Sequence, residues 1–440
     1  MRRIALAVLV VAAVAGVASA NGRAPGTSTI HFRQGHETDI AAGMTFGLLL
    51  SHDGGVTWHW MCETAVGYGG LWDPDYSYTS SGALFATTFN GFKVNRNGCT
   101  FDSTPPGTLF VSTDELEANG NLLFASVDNT DDKVYKSTDD GVSFPTSTTP
   151  PGAMLNDWYT DLYVEPGQSA NVWLASYRFS GNTKTLYVYK SVDGGASFTA
   201  VTVNGITPFT SNSTLTIDGV DALGNVYARL TLPAGSLNDV IYKLAPNATS
   251  WTQILSKADT ISFLVRSNGD LIAATKTLGA WVSTNQGGNW TPLTSPPHIN
   301  CLTENSAHEI WACTQNYGDS TMSIPSDGFG IMKTTDLTTW TGVLKFEDIQ
   351  GPVDCASGTP QHDMCQQVNW CGLRQQLGIT ANPIDCSAVT ADGPPDAGSG
   401  SGSGSGNVPP KGCCDTGSGS TAPMMMGLLV AVALLRRKRC

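Results

Sequence analysis

Apolar residues along this chain come in short runs, each closed by a polar turn that carries glycine and ends on an aromatic residue. The first turn is SHDGGVTW, Ser51 to Trp58, and STDDGVSF, SVDGGASF and STNQGGNW repeat it at 137–144, 191–198 and 283–290. Weaker copies stand in the gaps: VNRNGCTF at 94–101, LAPNATSW at 244–251 and KTTDLTTW at 333–340. Ahead of each copy lies a short apolar run (FGLLLS, GFKV, KVYKS, LYVYKS, VIYKL, AWVS, GIMKT), and ahead of that another (DIAAG, LFATT, LLFAS, VWLAS, NVYAR, LIAAT, EIWACT). Runs of this kind bounded by Gly, Asn and Asp are strands joined by hairpins. A unit recurring about every 46 residues has the length of a four-stranded propeller blade. The pattern therefore predicts an all-β fold, a seven-bladed β-propeller with four-stranded blades over residues 27–350.

The clearest turns share four positions: Ser51, Asp53, Gly55 and Trp58; Ser137, Asp139, Gly141 and Phe144; Ser191, Asp193, Gly195 and Phe198; and Ser283, Asn285, Gly287 and Trp290. Ser and Asp side chains bond the backbone of their own tight turn, glycine accepts positive φ, and the aromatic ring is buried between blades. The pattern Ser-x-Asp-x-Gly-x-x-Trp resembles the Asp-box, or BNR repeat, of sialidase-like and sortilin-like propellers. Xyloglucan-cleaving hydrolases and a photosystem assembly factor carry such blades as well. The resemblance implies that the box joins a blade's third and fourth strands and lies away from the ligand face. The turns are then structural, and ligand contacts belong to the opposite face, made by the links between blades and the loops between second and third strands.

On that face the richest link is HWMCETAVGYGGLWDPDYSYTSSG, with Glu63, Tyr68, Trp72, Asp73, Asp75 and Tyr76. Aromatic rings beside carboxylates suit a sugar, stacking on its apolar face and bonding its hydroxyls; they suit a strand-to-strand crossover equally. Arg178 and Tyr317 sit on further loops of the same face. Sialidase chemistry would need three arginines around the sugar carboxylate. Here Arg33 is followed by Gln34 and Gly35 in place of the motif the resemblance implies, so no catalytic residue is assigned. No cofactor or metal is expected, since no CxxC pair occurs and the histidines are scattered singly.

The two ends set the compartment. MRRIALAVLVVAAVAGVASA, residues 1–20, reads as a secretory signal cut after Ala18-Ser19-Ala20. Eleven cysteines in an exported chain read as a disulfide framework. Cys62 is expected to pair with Cys99 and Cys301 with Cys313, while Cys355, Cys365, Cys371 and Cys386 leave three pairings open within a helical cap over 351–390. Met364, Val368, Cys371 and Leu377 share one face of the helix expected there, with Gly378 at its end. A Gly/Ser/Pro linker follows at 391–411, then a Cys motif, a short apolar stretch and a basic end at 412–440. That order, with Gly412, Cys413 and Cys414, resembles the myxobacterial C-terminal sorting signal (MYXO-CTERM). The resemblance implies a sorting protease that removes the apolar stretch; a plain membrane anchor is the alternative.

The formal charge of −13, with six of the 24 basic residues at the two ends, argues against nucleic acid as a partner. Taken together, the sequence points to an exported protein held at the cell envelope, touching membrane only through its termini. Its expected role is a binding or scaffolding module for a surface glycan or protein; a glycoside hydrolase is the alternative reading.

Overall fold

A computed structural model describes residues 23–69, 73–104, 111–116, 122–126, 132–155, 157–207, 210–232, 238–320 and 322–380, together with 384 and 386. Trp72, the signal segment, the linker and the terminal motif with Gly412, Cys413 and Cys414 lie outside the described residues.

The β-rich runs form antiparallel sheets, each a meander in chain order. Six of them are four-stranded blades, spanning 76–103, 111–148, 158–201, 214–257, 260–292 and 301–344. The remaining sheet has five strands. Four lie between Thr27 and Met61, and Gly351–Pro352 adds to them in parallel against His59 and Trp60. The expected seven four-stranded blades are therefore corrected to six, because the chain comes round after the strand Thr341–Leu344 and covers the open edge of the first sheet. An uncovered edge would leave its N–H and C=O groups free to pair elsewhere.

The first strand of each sheet faces the centre. Thr27–Phe32, Tyr76–Tyr78, Val111–Leu116, Trp158–Val164, Thr214–Val220, Thr260–Val265 and Cys301–Glu304 stand side by side, and the last packs back on the first. The second strands are buried throughout in Ile40–Met44, Leu84–Thr88, Val226–Thr231, Leu271–Thr275 and Ile310–Cys313. These strands have sheets on both faces, so the polar alternation of a half-exposed strand is lost.

Beyond the sheets, Gln361–Asn369 forms a π-helical stretch that runs into the α-helix Trp370–Gln376. Gln361, Cys365, Trp370, Leu373 and Leu377 are its buried positions. Of the expected face, Leu377 is buried, but Met364, Val368 and Cys371 are only partly so: the wider i→i+5 turn moves the buried stripe off the α-helical spacing. Gly378, at φ 68°, follows the last turn in the left-handed conformation. The segment docks on the first sheet, with Trp370 5.7 Å from Trp60 and Gln361 Nε2 donating to the Trp60 carbonyl at 2.8 Å.

Two disulfides fix this clasp. Cys62 is bonded to Cys365 and Cys99 to Cys355, across 303 and 256 residues of sequence. The expected Cys62–Cys99 pair is corrected: each lies at the outer edge of its own sheet, and the returning segment passes between them and supplies both partners. Cys371 is bonded to Cys386 within the segment, and Cys301 to Cys313 across adjacent strands of one blade.

Candidate functional site

The recurrent turns close on themselves. Each connects the third strand of its sheet to the fourth, as Ser51 to Trp58 does between Gly47–Ser51 and His59–Met61. Ser51 Oγ donates to Asp53 Oδ1 at 2.9 Å and accepts from the Gly55 N–H at 2.9 Å; Asp53 Oδ1 accepts from the N–H groups of Val56 and Thr57. Ser137 with Asp139 and Gly141, and Ser191 with Asp193 and Gly195, repeat the arrangement; at Ser283, Asn285 and Gly287 an amide oxygen replaces the carboxylate. Trp58 Nε1 donates to the Gly55 carbonyl and Trp290 Nε1 to the Ile254 carbonyl, while Phe198 is buried and Phe144 packs edge-on against Phe92. The bond from the Thr57 N–H, then the hydroxyls of Thr57 and Ser51, hold the Asp53 carboxyl down at about 2. The hydroxyls of Ser143 and Ser197 hold Asp139 and Asp193 at about 2 as well. Some weak copies use other donors and acceptors in the same way: Asn95 and Asn97 accept the N–H groups of Gly98 and Thr100, and Thr334 pairs with Asp336.

Strands alternate in direction within each meander, so these turns share a side of the ring with the ends of the first strands. The links between sheets open on the other side. Between the two sides runs a central cavity of about 890 Å³, lined by six of the first strands and by the link residues Arg23, Asp73, Asp75 and Asn300.

The channel wall has a recurrent feature of its own. Register shifts leave one unpaired residue in the first strands of five sheets: Ser28, Ser112, Thr160, Asp218 and Ile261. A bulge bends its strand and re-aims the extra side chain. Ser28, Thr160, Asp218 and Ile261 all line the cavity.

On one side of the channel the polar groups tie neighbouring strands together. Thr160 Oγ1 donates to the Leu215 carbonyl and Asp161 Oδ2 accepts from the Ile217 N–H, both at 2.6 Å. Arg229 donates to the Ile261 carbonyl at 2.7 Å and to Asp218 Oδ1 at 3.2 Å. Burial raises the Asp218 carboxyl and the guanidinium only partly offsets it.

The opposite wall is different. The hydroxyls of Thr27, Ser28 and Thr29 and the His31 Nε2 are buried and make no hydrogen bond within the protein, whereas the Tyr76 hydroxyl meets that of Tyr68. Gly43 lies behind them, and a Cβ there would sit 2.5 Å from Thr29 Oγ1 and 3.3 Å from the Tyr76 ring. His31 meets Tyr76 edge-on at 6.2 Å, and burial lowers its imidazole to about 4.

The residues singled out by sequence separate accordingly. Asp73, Asp75 and Tyr76 line the channel. Asp73 holds Arg23 through two bonds of 2.7 and 2.8 Å, with Glu63 3.8 Å away at the start of the short helix Glu63–Val66. Tyr68 is buried in the core and donates to the Gly47 carbonyl. Arg178 pairs with Asp157, lies 4.8 Å over the Tyr187 ring, and stands apart from the channel-lining residues. Tyr317 donates to the Leu377 carbonyl at 2.8 Å, so it anchors the helical clasp. Sequence reasoning passed over Thr27, Ser28, Thr29, His31, Asp161, Asp218 and Arg229. The available signal was hydroxyl-rich alternation in the first strands, as in TSTIHF and TLTIDGV. Among the described residues, no three His, Cys, Asp or Glu side chains gather as a metal site would.

No family model matches the chain, and no curated protein matches it. The resemblance to sialidase-like and sortilin-like Asp-box families and to the myxobacterial sorting signal is corrected on that ground. Solved structures share parts of the architecture at low identity. An ancestral GH74 enzyme aligns at 13% identity with a TM-score of 0.47, over 68% of this chain and 45% of that one. The extracellular domain of a one component system protein from B. thetaiotaomicron aligns at 14% and 0.45, over 66% and 38%. YCF48 from Cyanidioschyzon merolae aligns at 11% and 0.42, over 66% and 92%. The chain spans less than half the length of the first two.

Proposed function

We propose that the protein is an exported binding module that holds a glycan or protein of the cell envelope at the link side of its ring. The observation that carries this reading is the central cavity of about 890 Å³ lined by polar side chains of the first strands and the links. A concave site with a few convergent polar groups is the usual form of a ligand pocket. The four disulfides favour an oxidising compartment, where such bonds persist. Binding is favoured over hydrolysis because carboxylates of the channel are engaged, Asp73 by Arg23, Glu304 by Arg266 and Asp161 by a backbone N–H, which leaves the Asp218 Oδ2, beside the Oδ1 held by Arg229, without a second free carboxyl among these to work with. A glycosidase needs one carboxyl free to donate a proton and a second free to attack or to activate water.

The test uses the full-length protein on a glycan array and on immobilised envelope extract. Asn300→Trp fills the channel from its link side, and Val192→Arg alters an exposed turn on the opposite side. Binding should be lost in the first variant and kept in the second. The reverse pattern would overturn the reading.

A further inference from the structure

Among the described residues, four buried polar atoms without partners lie along one first strand: Thr27 Oγ1, Ser28 Oγ, Thr29 Oγ1 and His31 Nε2. These residues line the central channel beside Tyr76 of the adjacent first strand. Thr27 and Tyr76 are 4% and 3% exposed. A buried donor or acceptor left unpaired is costly, and native proteins seldom keep several together. Here the bulge at Ser28 gathers them and Gly43 makes room behind them.

Building on the channel as the ligand site, we propose that the wall formed by Thr27, Ser28, Thr29, His31 and Tyr76 is a subsite for an uncharged, hydroxyl-rich group, the neutral sugar residue at the end of a glycan. The hydroxyls of Thr27, Ser28 and Thr29 can each donate and accept, which matches the vicinal hydroxyls of a sugar. The imidazole is neutral at pH 7 and the phenol keeps its proton, since burial disfavours the charged form of both. An ionic ligand pressed against this wall would lose water without gaining a counter-charge. The Tyr76 ring, met edge-on by His31, offers an apolar surface to sugar C–H groups.

The experiment is saturation-transfer NMR on the full-length protein with free glucose, galactose and N-acetylglucosamine, and with glucuronic acid and glucosamine as charged controls. Transfer to at least one neutral sugar and none to the charged ones is expected. Thr27→Val and Thr29→Val should each weaken the neutral sugar about tenfold while melting stays unchanged, because each removes an oxygen that bonds nothing in the free ring. Silence from all the neutral sugars, or equal transfer in the variants, would mean that the wall holds water only. If the sugars are silent while Asn300→Trp still abolishes binding to the envelope extract, the channel remains the ligand site and only the subsite falls.

Discussion

The recurrent turns and the channel wall at Thr27–His31 are made of the same kinds of residue, and they use them in opposite ways. In the turns, Ser51, Ser137 and Ser191 give their hydroxyls to an acidic neighbour and receive a glycine N–H in return. In the wall, the hydroxyl oxygens of three consecutive residues, Thr27, Ser28 and Thr29, are buried and bond nothing within the protein. Satisfied polar groups rigidify a fold, whereas unsatisfied ones must find a partner from outside. Residue type therefore says little about function here until the bonds are counted, and the acidic turns that stand out in the sequence are the parts least available to a ligand.

The contrast exists only in a closed ring, and closure carries the largest expected effect. Cys365→Ser removes the bond to Cys62, a link across 303 residues. With Cys99–Cys355 intact, the loop this bond closes runs only through 62–99 and 355–365; in the chain-entropy picture that contributes about 4 kcal/mol, and urea melts should show a loss of that order. Next in size is Ser191→Ala. Its hydroxyl is 1% exposed and holds the Gly195 N–H, so a loss of about 2 kcal/mol is expected from the orphaned donor. Asp193→Ala should cost less, about 1 kcal/mol, because the N–H groups it releases are at the surface.

Proton linkage sharpens the comparison with smaller effects. Asp53, Asp139 and Asp193 titrate near 2 in the ring, against about 3.9 in an unfolded chain. Their contribution is present above the unfolded value and is lost as pH falls from about 4 toward 2. His31 acts at higher pH. Held at about 4 against an ordinary 6.5, it lets the unfolded chain take the proton first, so stability falls as pH drops from 6.5 toward 4. Asp239, pushed up to about 6 by burial, gives the opposite trend, losing stability as pH rises from about 4 through 6. The difference between wild type and His31→Gln isolates the histidine, and the fall in stability from pH 6.5 toward 4 should be shallower in the variant than in the wild type.

The strands and turns were legible because they are local. Apolar runs such as LYVYKS and the turns after them set their own hairpins, and Cys301 and Cys313 face each other because their strands are hairpin neighbours. Features that depend on where distant segments meet left no local trace. Cys62 and Cys99 look like partners until the segment 355–365 is seen to pass both sheet edges. The π-helical stretch shifted the buried stripe to Gln361, Cys365 and Trp370, which α-helical spacing could not foresee. The candidate site was half visible. The link holding Asp73, Asp75 and Tyr76 drew notice through its aromatic and acidic residues, yet Glu63 and Asp73 turned inward to Arg23. The bulges that turn Ser28, Thr160 and Asp218 toward the channel come from a one-residue offset in pairing, and nothing in composition marks it.

The most direct test of the contrast is a side-by-side thermal melt of the wild type, Ser191→Ala and Thr27→Val. Both substitutions delete a single buried hydroxyl, one engaged in its turn and one without a partner in the channel wall. Ser191→Ala should melt several degrees lower, and Thr27→Val should melt at or above the wild type. A Thr27→Val melt lowered as much as that of Ser191→Ala would contradict the account, since it would place the Thr27 hydroxyl among the bonds that hold the ring together.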